Sequence, residues 1–159
     1  QFKVKKSHIK KAITMIKSEG RLQFLNKGNL RKHVSYGNKI LIDGAHNPLA
    51  AKVVEKYLTS LDSKRKIIMV LGMMSNKQHK EFIQVFKNRV ETIITLDIPN
   101  QINFISKEKL SKIAESCGIF SKTESSIESA LKYASSENKN AIIFCTGSLY
   151  LAGEILNLN

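Results

Sequence analysis

The sequence has few of the residues that mark several common classes of protein. It contains no tryptophan, two cysteines and two prolines among 159 residues, and aromatic residues make up only 7%. Because aromatic residues are few and show no interleaving with basic residues that would suggest base stacking, a surface that stacks nucleic-acid bases is not favoured. No run approaches the roughly 18 consecutive apolar residues of a membrane-spanning helix. We therefore expect neither a membrane protein nor a specific nucleic-acid-binding protein.

Acidic residues are half as common as basic ones: the sequence has 13 acidic and 26 basic residues, which gives a net charge of +13. The lysines are spread along the chain, with clusters only at 3–11 and 64–66. A solvated lysine-rich surface is the favoured interpretation, and it would still attract polyanions such as nucleotide phosphates or glutamate-tailed substrates. A non-catalytic basic module that binds nucleic acid or another polyanion remains the alternative from a different functional class.

The two cysteines, Cys117 and Cys145, lie in apolar surroundings and show neither C-x-x-C nor zinc-like spacing. We predict two buried thiols, no metal site in this chain, and a reducing, cytoplasmic location. The length suits one domain with a real core, and apolar residues at 42% argue against disorder.

Short apolar runs alternate with helical patterns along the chain. Predicted strands cover 21–25, 39–42, 67–71, 92–96 and 141–145, and predicted helices cover 4–18, 48–58, a segment around 82–86, 107–117, 125 or 126–134, and a final one through 156. The all-apolar run 67–71 is typical of a strand buried on both faces. The pattern predicts an α/β fold: a mainly parallel, doubly wound (Rossmann-like) sheet with helices on both faces.

The stretch 39–51 organises the rest of the chain, because it reads as strand, turn and helix with Asp43 and His46 in the turn. Asn47 is placed to cap the helix and Pro48 to begin it. Ligands of open α/β sheets bind where strands end. This pair could hold sugar hydroxyls, a metal-bound phosphate or an amino-acid substrate.

The last predicted strand runs into Thr146-Gly147-Ser148, which has the chemistry of an anion site. Gly147 permits close backbone approach, Ser148 offers a hydroxyl, and helix N–H groups point at the ligand. A serine that only caps the following helix, without binding a ligand, would give the same sequence pattern. Tyr150 and Leu151 are predicted to be core residues.

Two further cations are candidates. The planar fork of Arg21 could clamp a phosphate, and Lys77 lies in a strand-to-helix loop at the same edge as His46. An ordinary surface role is the alternative for both. The remaining histidines, which have lysines close by in the sequence, are predicted to be surface residues: His8, His33 and His79.

The motif Asp-Gly-Ala-His-Asn-Pro at 43–48 resembles the signature of the C-terminal domain of folylpolyglutamate synthase/dihydrofolate synthase, a branch of the Mur ligases. Three further stretches, 20–23, 71–77 and 146–154, fit the family in the same order, so the resemblance covers nearly the whole chain. The chain departs from the family at 18–19, where Ser-Glu replaces Trp-Pro, and at 76–78, where Asn-Lys-Gln replaces Asp-Lys-Asp.

The resemblance implies a role for each candidate. Arg21 and Asp43 would bind the phosphates and ribose of a nucleotide. His46, Lys77 and Ser148 would bind glutamate, with His46 also catalytic. The remaining positions would shape the turns and cap the helices: Gly44, Asn47, Pro48 and Gly147. We expect Arg21, Asp43, His46 and Ser148 to surround one shared cavity.

The implied reaction uses ATP to phosphorylate a folate or dihydropteroate carboxyl, and L-glutamate then attacks the acyl phosphate. This chain has no G-x-x-x-x-G-K-[ST] loop; in the family, that loop lies in an N-terminal ATPase domain that binds ATP and Mg²⁺. We therefore expect 1–18 to be a helical lead-in from that domain and 19–159 to be the glutamate-binding domain. Alone, the chain would be a monomer without ligase activity. Another Mur-type amino-acid ligase is the alternative enzyme.

Overall fold

The computed structural model describes residues 4–15, 18–61 and 65–159 and contains one six-stranded sheet in these ranges. The strands are β1 (Gln23–Leu25), β2 (Lys39–Ile42), β3 (Ile67–Leu71), β4 (Thr92–Thr95), β5 (Phe120–Thr123) and β6 (Ile142–Thr146). Their order across the sheet is β1-β2-β6-β3-β4-β5. Strand β1 is antiparallel to β2 and every other pair is parallel. The predicted mainly parallel α/β sheet is confirmed.

Helices cover both faces of this sheet. They are α1 (Lys6–Met15), α2 (Pro48–Ser60), α3 (His79–Gln84), α4 (Lys107–Ser116), α5 (Ile127–Glu137) and α6 (Leu149–Leu158), with a 3-10 helix at Asn29–His33. Within the described ranges, no helix is both long and apolar enough to cross a bilayer.

Successive strand residues point to opposite faces of the sheet, so the core forms two layers, one on each face. Leu41, Met69 and Phe144 point to the face covered by α2, α3 and α4. Their neighbours Val70 and Cys145 point to the face covered by α5 and α6. Each fully buried apolar side chain contributes roughly 1.5–3 kcal/mol, so both faces hold the helices firmly.

Both cysteines are buried free thiols, as predicted. Cys145 lies in β6, between β2 and β3, with apolar atoms around it. Burial disfavours the thiolate and raises the pKa of Cys145 to about 12.

Serine side chains cap the N-termini of α4 and α5. The Ser106 hydroxyl accepts from the Lys109 N–H at 3.4 Å and caps α4. Ser126 caps α5 and forms a reciprocal capping box with Ser129, both bonds being 3.1 Å long. Side-chain caps of this kind satisfy N–H groups that a helix leaves free.

Several boundaries differ from the prediction. Strand β1 begins at Gln23 rather than at residue 21, because Leu22 has φ 43° and cannot extend a strand. Strand β5 was not predicted: it is a short edge strand, paired with β4 alone, and two of its four residues are exposed. Helix α3 ends at Gln84, before the predicted 85–86.

The first helix carries its apolar residues on an exposed surface. Ile9 and Ile13, which lie four positions apart on one face of the helix, are 48% and 63% exposed. The predicted helix 4–18 also includes Ile16, which lies outside the described residues. Helix α1 therefore stands apart from the two clusters that make up the core.

Candidate functional site

The carboxyl ends of β2, β6 and β3 meet at one edge of the sheet. Strand β6 lies between the other two, and its helix α6 covers one face, whereas α2 and α3 cover the other. This divergence is a topological switch point, the place where open α/β sheets bind ligands. Backbone bonds join the loops, since the Gly147 N–H donates to the Ala45 carbonyl at 3.0 Å and the Gly72 N–H to the Thr146 carbonyl at 3.3 Å.

Gly147 makes this close approach possible. Its φ of 103° lies in the region that favours glycine. A Cβ at this position would lie 2.6 Å from the Gly72 carbonyl oxygen, which is backbone and cannot move aside easily. The β6 loop can therefore pass over the β3 loop only with glycine here.

The first pocket at this edge, which we call the His46 pocket, has a volume of about 310 Å³. Its lining comes from the loops after β2, β3 and β6: His46, Met74, Asn76, Lys77, Ser148, Leu149 and Tyr150. The three residues predicted to bind glutamate thus share one pocket, although they are separated by up to about a hundred positions in sequence.

The half-buried ring of His46 is oriented by its own turn. Nδ1 lies 3.0 Å from the Gly44 carbonyl oxygen. Because a carbonyl oxygen only accepts, Nδ1 must carry the proton, and Nε2 of the neutral ring is then an acceptor. No hydrogen bond joins Nε2 to the described part of the chain, so this nitrogen can receive a proton donor from a ligand.

Ser148 and Lys77 give the same pocket an affinity for anions. The Ser148 hydroxyl oxygen accepts from the Tyr150 N–H at 3.1 Å and caps α6, although Ser148 is only 2% exposed. Its own proton remains available for donation, and the helix N-terminus adds partial positive charge. The half-buried Lys77 ammonium makes no ion pair with a described residue. Capping and anion binding by Ser148 are therefore compatible.

The second pocket, which we call the Arg21 pocket, has a volume of about 500 Å³. It is lined by Arg21, Leu22, Asp43, Asn47, Leu49, Ala50, Val53 and Val54. Helix α2 supplies an apolar wall on which Leu49 and Val53 are 76% and 62% exposed. Arg21 is exposed, and its guanidinium forms no ion pair or hydrogen bond within the described ranges. The pocket thus combines an apolar surface with an exposed cationic fork.

Asp43 lies at the base of the Arg21 pocket and is only 4% exposed. Its Oδ1 accepts from the Ala45 N–H at 2.7 Å and its Oδ2 from the Leu22 N–H at 2.9 Å. Each oxygen therefore already has a backbone partner. The carboxylate joins the β2 turn to the segment that carries Arg21.

The turn residues have direct structural roles. Asn47 Oδ1 accepts from the Ala50 N–H at 2.9 Å and caps α2, and Pro48 occupies the first turn. A Cβ on Gly44 would lie 3.3 Å from the Leu149 Cα and closer still to its side chain. Among the described residues, no three His, Cys, Asp or Glu side chains are grouped in a way that could hold a metal ion.

Some expectations about the site were wrong. The expected single cavity is instead two pockets with no lining residue in common, although the adjacent residues His46 and Asn47 line one each. Tyr150, predicted to be core, is 54% exposed, because the first turn of α6 faces the His46 pocket, whereas Leu151 is buried as predicted. His79, predicted to be a surface residue, is half-buried, and its Nε2 lies 2.9 Å from the Met74 carbonyl oxygen.

Three residues that line the His46 pocket were missed: Met74, Asn76 and Leu149. Met74 and Asn76 lie in the loop after β3 and line the His46 pocket. Their position in the same strand-to-helix loop as Lys77 was the signal that could have found them, since every residue of such a loop is close to the ligand edge.

Comparison with known proteins identifies the family. Residues 26–158 match the family described as "Dihydrofolate synthetase, C-terminal domain". The chain belongs to this family, which confirms the resemblance read from its motifs. It is 27% identical over 160 residues to the dihydrofolate synthase/folylpolyglutamate synthase of Buchnera aphidicola subsp. Acyrthosiphon pisum (strain APS), covering 99% of this chain and 36% of that protein.

Solved structures share the fold. Folylpolyglutamate synthase of Mycobacterium tuberculosis, complexed with ADP and AMPPCP, superimposes with a TM-score of 0.80 at 20% identity, covering 98% of this chain and 35% of that one. E. coli FolC in complex with DHPP and ADP gives 0.79 at 18% identity, covering 98% and 34%. The chain spans about a third of the length of the relatives it matches.

Proposed function

We propose that residues 19–159 are the glutamate-binding domain of an ATP-dependent ligase that joins L-glutamate to folate or dihydropteroate through an acyl phosphate. Family membership supports this proposal. The observation that carries it is the meeting of His46, Lys77 and Ser148 in one pocket beside the Arg21 pocket. An N-terminal ATPase domain, joined through residues 1–18, would supply the phosphate loop and hold most of the ATP with Mg²⁺.

L-Glutamate would occupy the His46 pocket. A carboxylate fits between the Lys77 ammonium and the Ser148 hydroxyl, where charge-assisted hydrogen bonds are strong. Nε2 of His46 would accept a hydrogen bond from the glutamate amino group. An amine attacks an acyl phosphate only when it is neutral, so a neighbouring acceptor that can take a proton aids the step.

The nucleotide would reach the Arg21 pocket from the ATPase domain. The exposed Arg21 fork suits a phosphate, because guanidinium binds its oxygens in pairs. The apolar wall of α2 suits the uncharged part of the nucleotide. Asp43 would approach the ribose, as the family resemblance implies. Positive charge beside the transferring phosphoryl group and the juxtaposition of both substrates would supply most of the rate enhancement.

The test is a ligase assay on the full-length protein and on the 159-residue chain, with ATP, L-glutamate and either dihydropteroate or folate. We expect the full-length protein to form ADP and the glutamyl amide, and His46→Ala to reduce the rate strongly. The chain alone should form no product. Robust turnover by the chain alone, or none by the full-length protein, would overturn the proposal.

Competition separates the nearest alternative. Other amino acids added in excess should not replace L-glutamate in the product. If another amino acid is incorporated in preference, the protein is a Mur-type ligase with a different substrate. Salt-sensitive, sequence-blind DNA binding that His46→Ala leaves unchanged would instead support a basic binding module.

A further inference from the structure

We propose that Asp43 is a positioning residue that sets the place of Arg21 by holding Leu22 in a left-handed backbone conformation. This inference rests on the proposed function only for its effect on catalysis. Positioning is a second role of Asp43, beside the ribose contact that the family resemblance implies. The juxtaposition that carries the inference is a buried carboxylate hydrogen-bonded to the strained residue Leu22, next to an exposed arginine whose side chain bonds to no described residue.

Leu22 is the strained residue. Its φ of 43° is one of two positive values among the described non-glycine residues. A residue with a Cβ adopts this conformation at a cost, because the Cβ approaches the following carbonyl oxygen. Such a residue persists only where its surroundings hold it, and it is often found at functional sites. The hydrogen bond from the Leu22 N–H to Asp43 Oδ2, 2.9 Å long, stabilises this conformation.

Arg21 is anchored by its backbone neighbours rather than by its side chain. On one side, the Gly20 carbonyl accepts from the Gly44 N–H at 2.8 Å, and the Gly20 N–H donates to Gln23 Oε1 at 2.9 Å. On the other side stands Leu22, bonded to Asp43. The direction in which the Arg21 side chain leaves the backbone is therefore fixed by this turn.

The Asp43 carboxylate also fixes the turn that carries His46, at the proposed glutamate-binding end of the site. Asp43 Oδ1 accepts from the Ala45 N–H at 2.7 Å, and His46 follows directly in the turn. One buried side chain thus fixes the spacing between the residue that would bind phosphate and the residue that would bind the attacking amine.

The first test does not depend on ligase activity. Amide hydrogen exchange at Leu22 is measured in the 159-residue chain and in Asp43→Asn, whose amide group cannot accept at both positions. We expect exchange at Leu22 and Ala45 to accelerate at least tenfold, while amides of the central strand β3 stay protected. Unchanged protection at Leu22 would overturn the proposal.

The second test uses the full-length protein and a matched pair of variants at Leu22. In the Asp43→Asn background, Leu22→Gly should restore part of the lost kcat/KM for ATP, because glycine adopts φ 43° without strain. Leu22→Ala loses similar packing but keeps the Cβ, so it should restore nothing. We expect a difference of about tenfold between the two. Equal effects of glycine and alanine would contradict the backbone mechanism.

The third comparison distinguishes positioning from ribose contact. If Asp43 acts through Arg21, Asp43→Asn should still lower kcat/KM for 2′-deoxy-ATP and for 3′-deoxy-ATP, and it should add little to the rise in KM for ATP that Arg21→Ala causes. If a ribose contact is its whole effect on ATP, the loss should vanish with one deoxynucleotide, which would overturn the proposal. Absence of ligase activity in the wild-type protein would refute the proposed function, and the exchange experiment would still decide the role of Asp43.

Discussion

Replacement of Ser148 by alanine distinguishes its capping of α6 from its proposed binding of glutamate, because loss of the cap changes Tm and loss of the ligand bond changes the KM for glutamate. The hydroxyl caps α6 through the 3.1 Å bond from the Tyr150 N–H, and loss of a serine cap costs about 1 kcal/mol. For a chain of this size that corresponds to a fall in Tm of about 2–4 °C. If the hydroxyl also donates to the glutamate carboxylate, a bond to a charged group worth about 1.5–3 kcal/mol is lost as well. The KM for glutamate should then rise roughly 10- to 100-fold.

Matched controls exist in the same chain. Ser106 and Ser126 cap α4 and α5, and neither lines the two pockets. Ser106→Ala and Ser126→Ala should lower Tm by a similar amount and leave the KM for glutamate unchanged, whereas Ser148→Thr, which keeps a hydroxyl, should retain most of the affinity. Tm is read by calorimetry and KM by the ligase assay on the full-length protein. If Ser148→Ala behaves like the two controls in both assays, Ser148 is a cap and nothing more.

Three further predictions concern other parts of the structure. Gly147→Ala should lower the free energy of unfolding by at least about 2 kcal/mol, since it combines a positive φ with a backbone clash; an unchanged urea midpoint would contradict this. Lys77→Met should raise the KM for glutamate about tenfold and leave that for ATP unchanged, whereas Lys80→Met, on an exposed residue of α3, should change neither. Because the pKa of Cys145 rises from 9.0 to about 12 on folding, its thiol ionises only in the unfolded chain between these values, so stability falls as pH rises above 9. At pH 10 the wild type should have lost about 1.4 kcal/mol more than Cys145→Ala, relative to pH 8; parallel pH profiles would refute this.

Much of the fold could be predicted because its strands are marked by continuous apolar runs. Strand β3 is buried at all five positions and was recognised to the residue, as was β2. Strand β5 could not be recognised, because Phe-Ser-Lys-Thr has no apolar run and becomes a strand only by pairing with β4. Edge strands depend on their neighbours more than on their own sequence.

The place of the candidate residues at one edge of the sheet could be predicted from the sequence, since each of them follows a strand end or a turn. The division of the site into two pockets could not be predicted, because the consecutive residues His46 and Asn47 line different pockets and the sequence does not give the direction of each side chain. Only one of the two hydrogen bonds of Asp43 could be predicted from the sequence. An Asp-Gly turn predicts a bond to the residue two positions on, but the bond to Leu22 spans 21 positions and arises only from the pairing of β1 with β2.

The central claim is that one edge of the sheet holds two different ligands in adjoining pockets. Hydrogen exchange measured by mass spectrometry on the full-length protein tests it directly, with L-glutamate and a non-hydrolysable ATP analogue added separately and together. Glutamate should protect peptides covering 72–80 and 147–152, and the nucleotide should protect those covering 20–24 and 47–54. Protection of neither pair, or protection confined to the opposite edge at 65–67 and 87–91, would contradict the account.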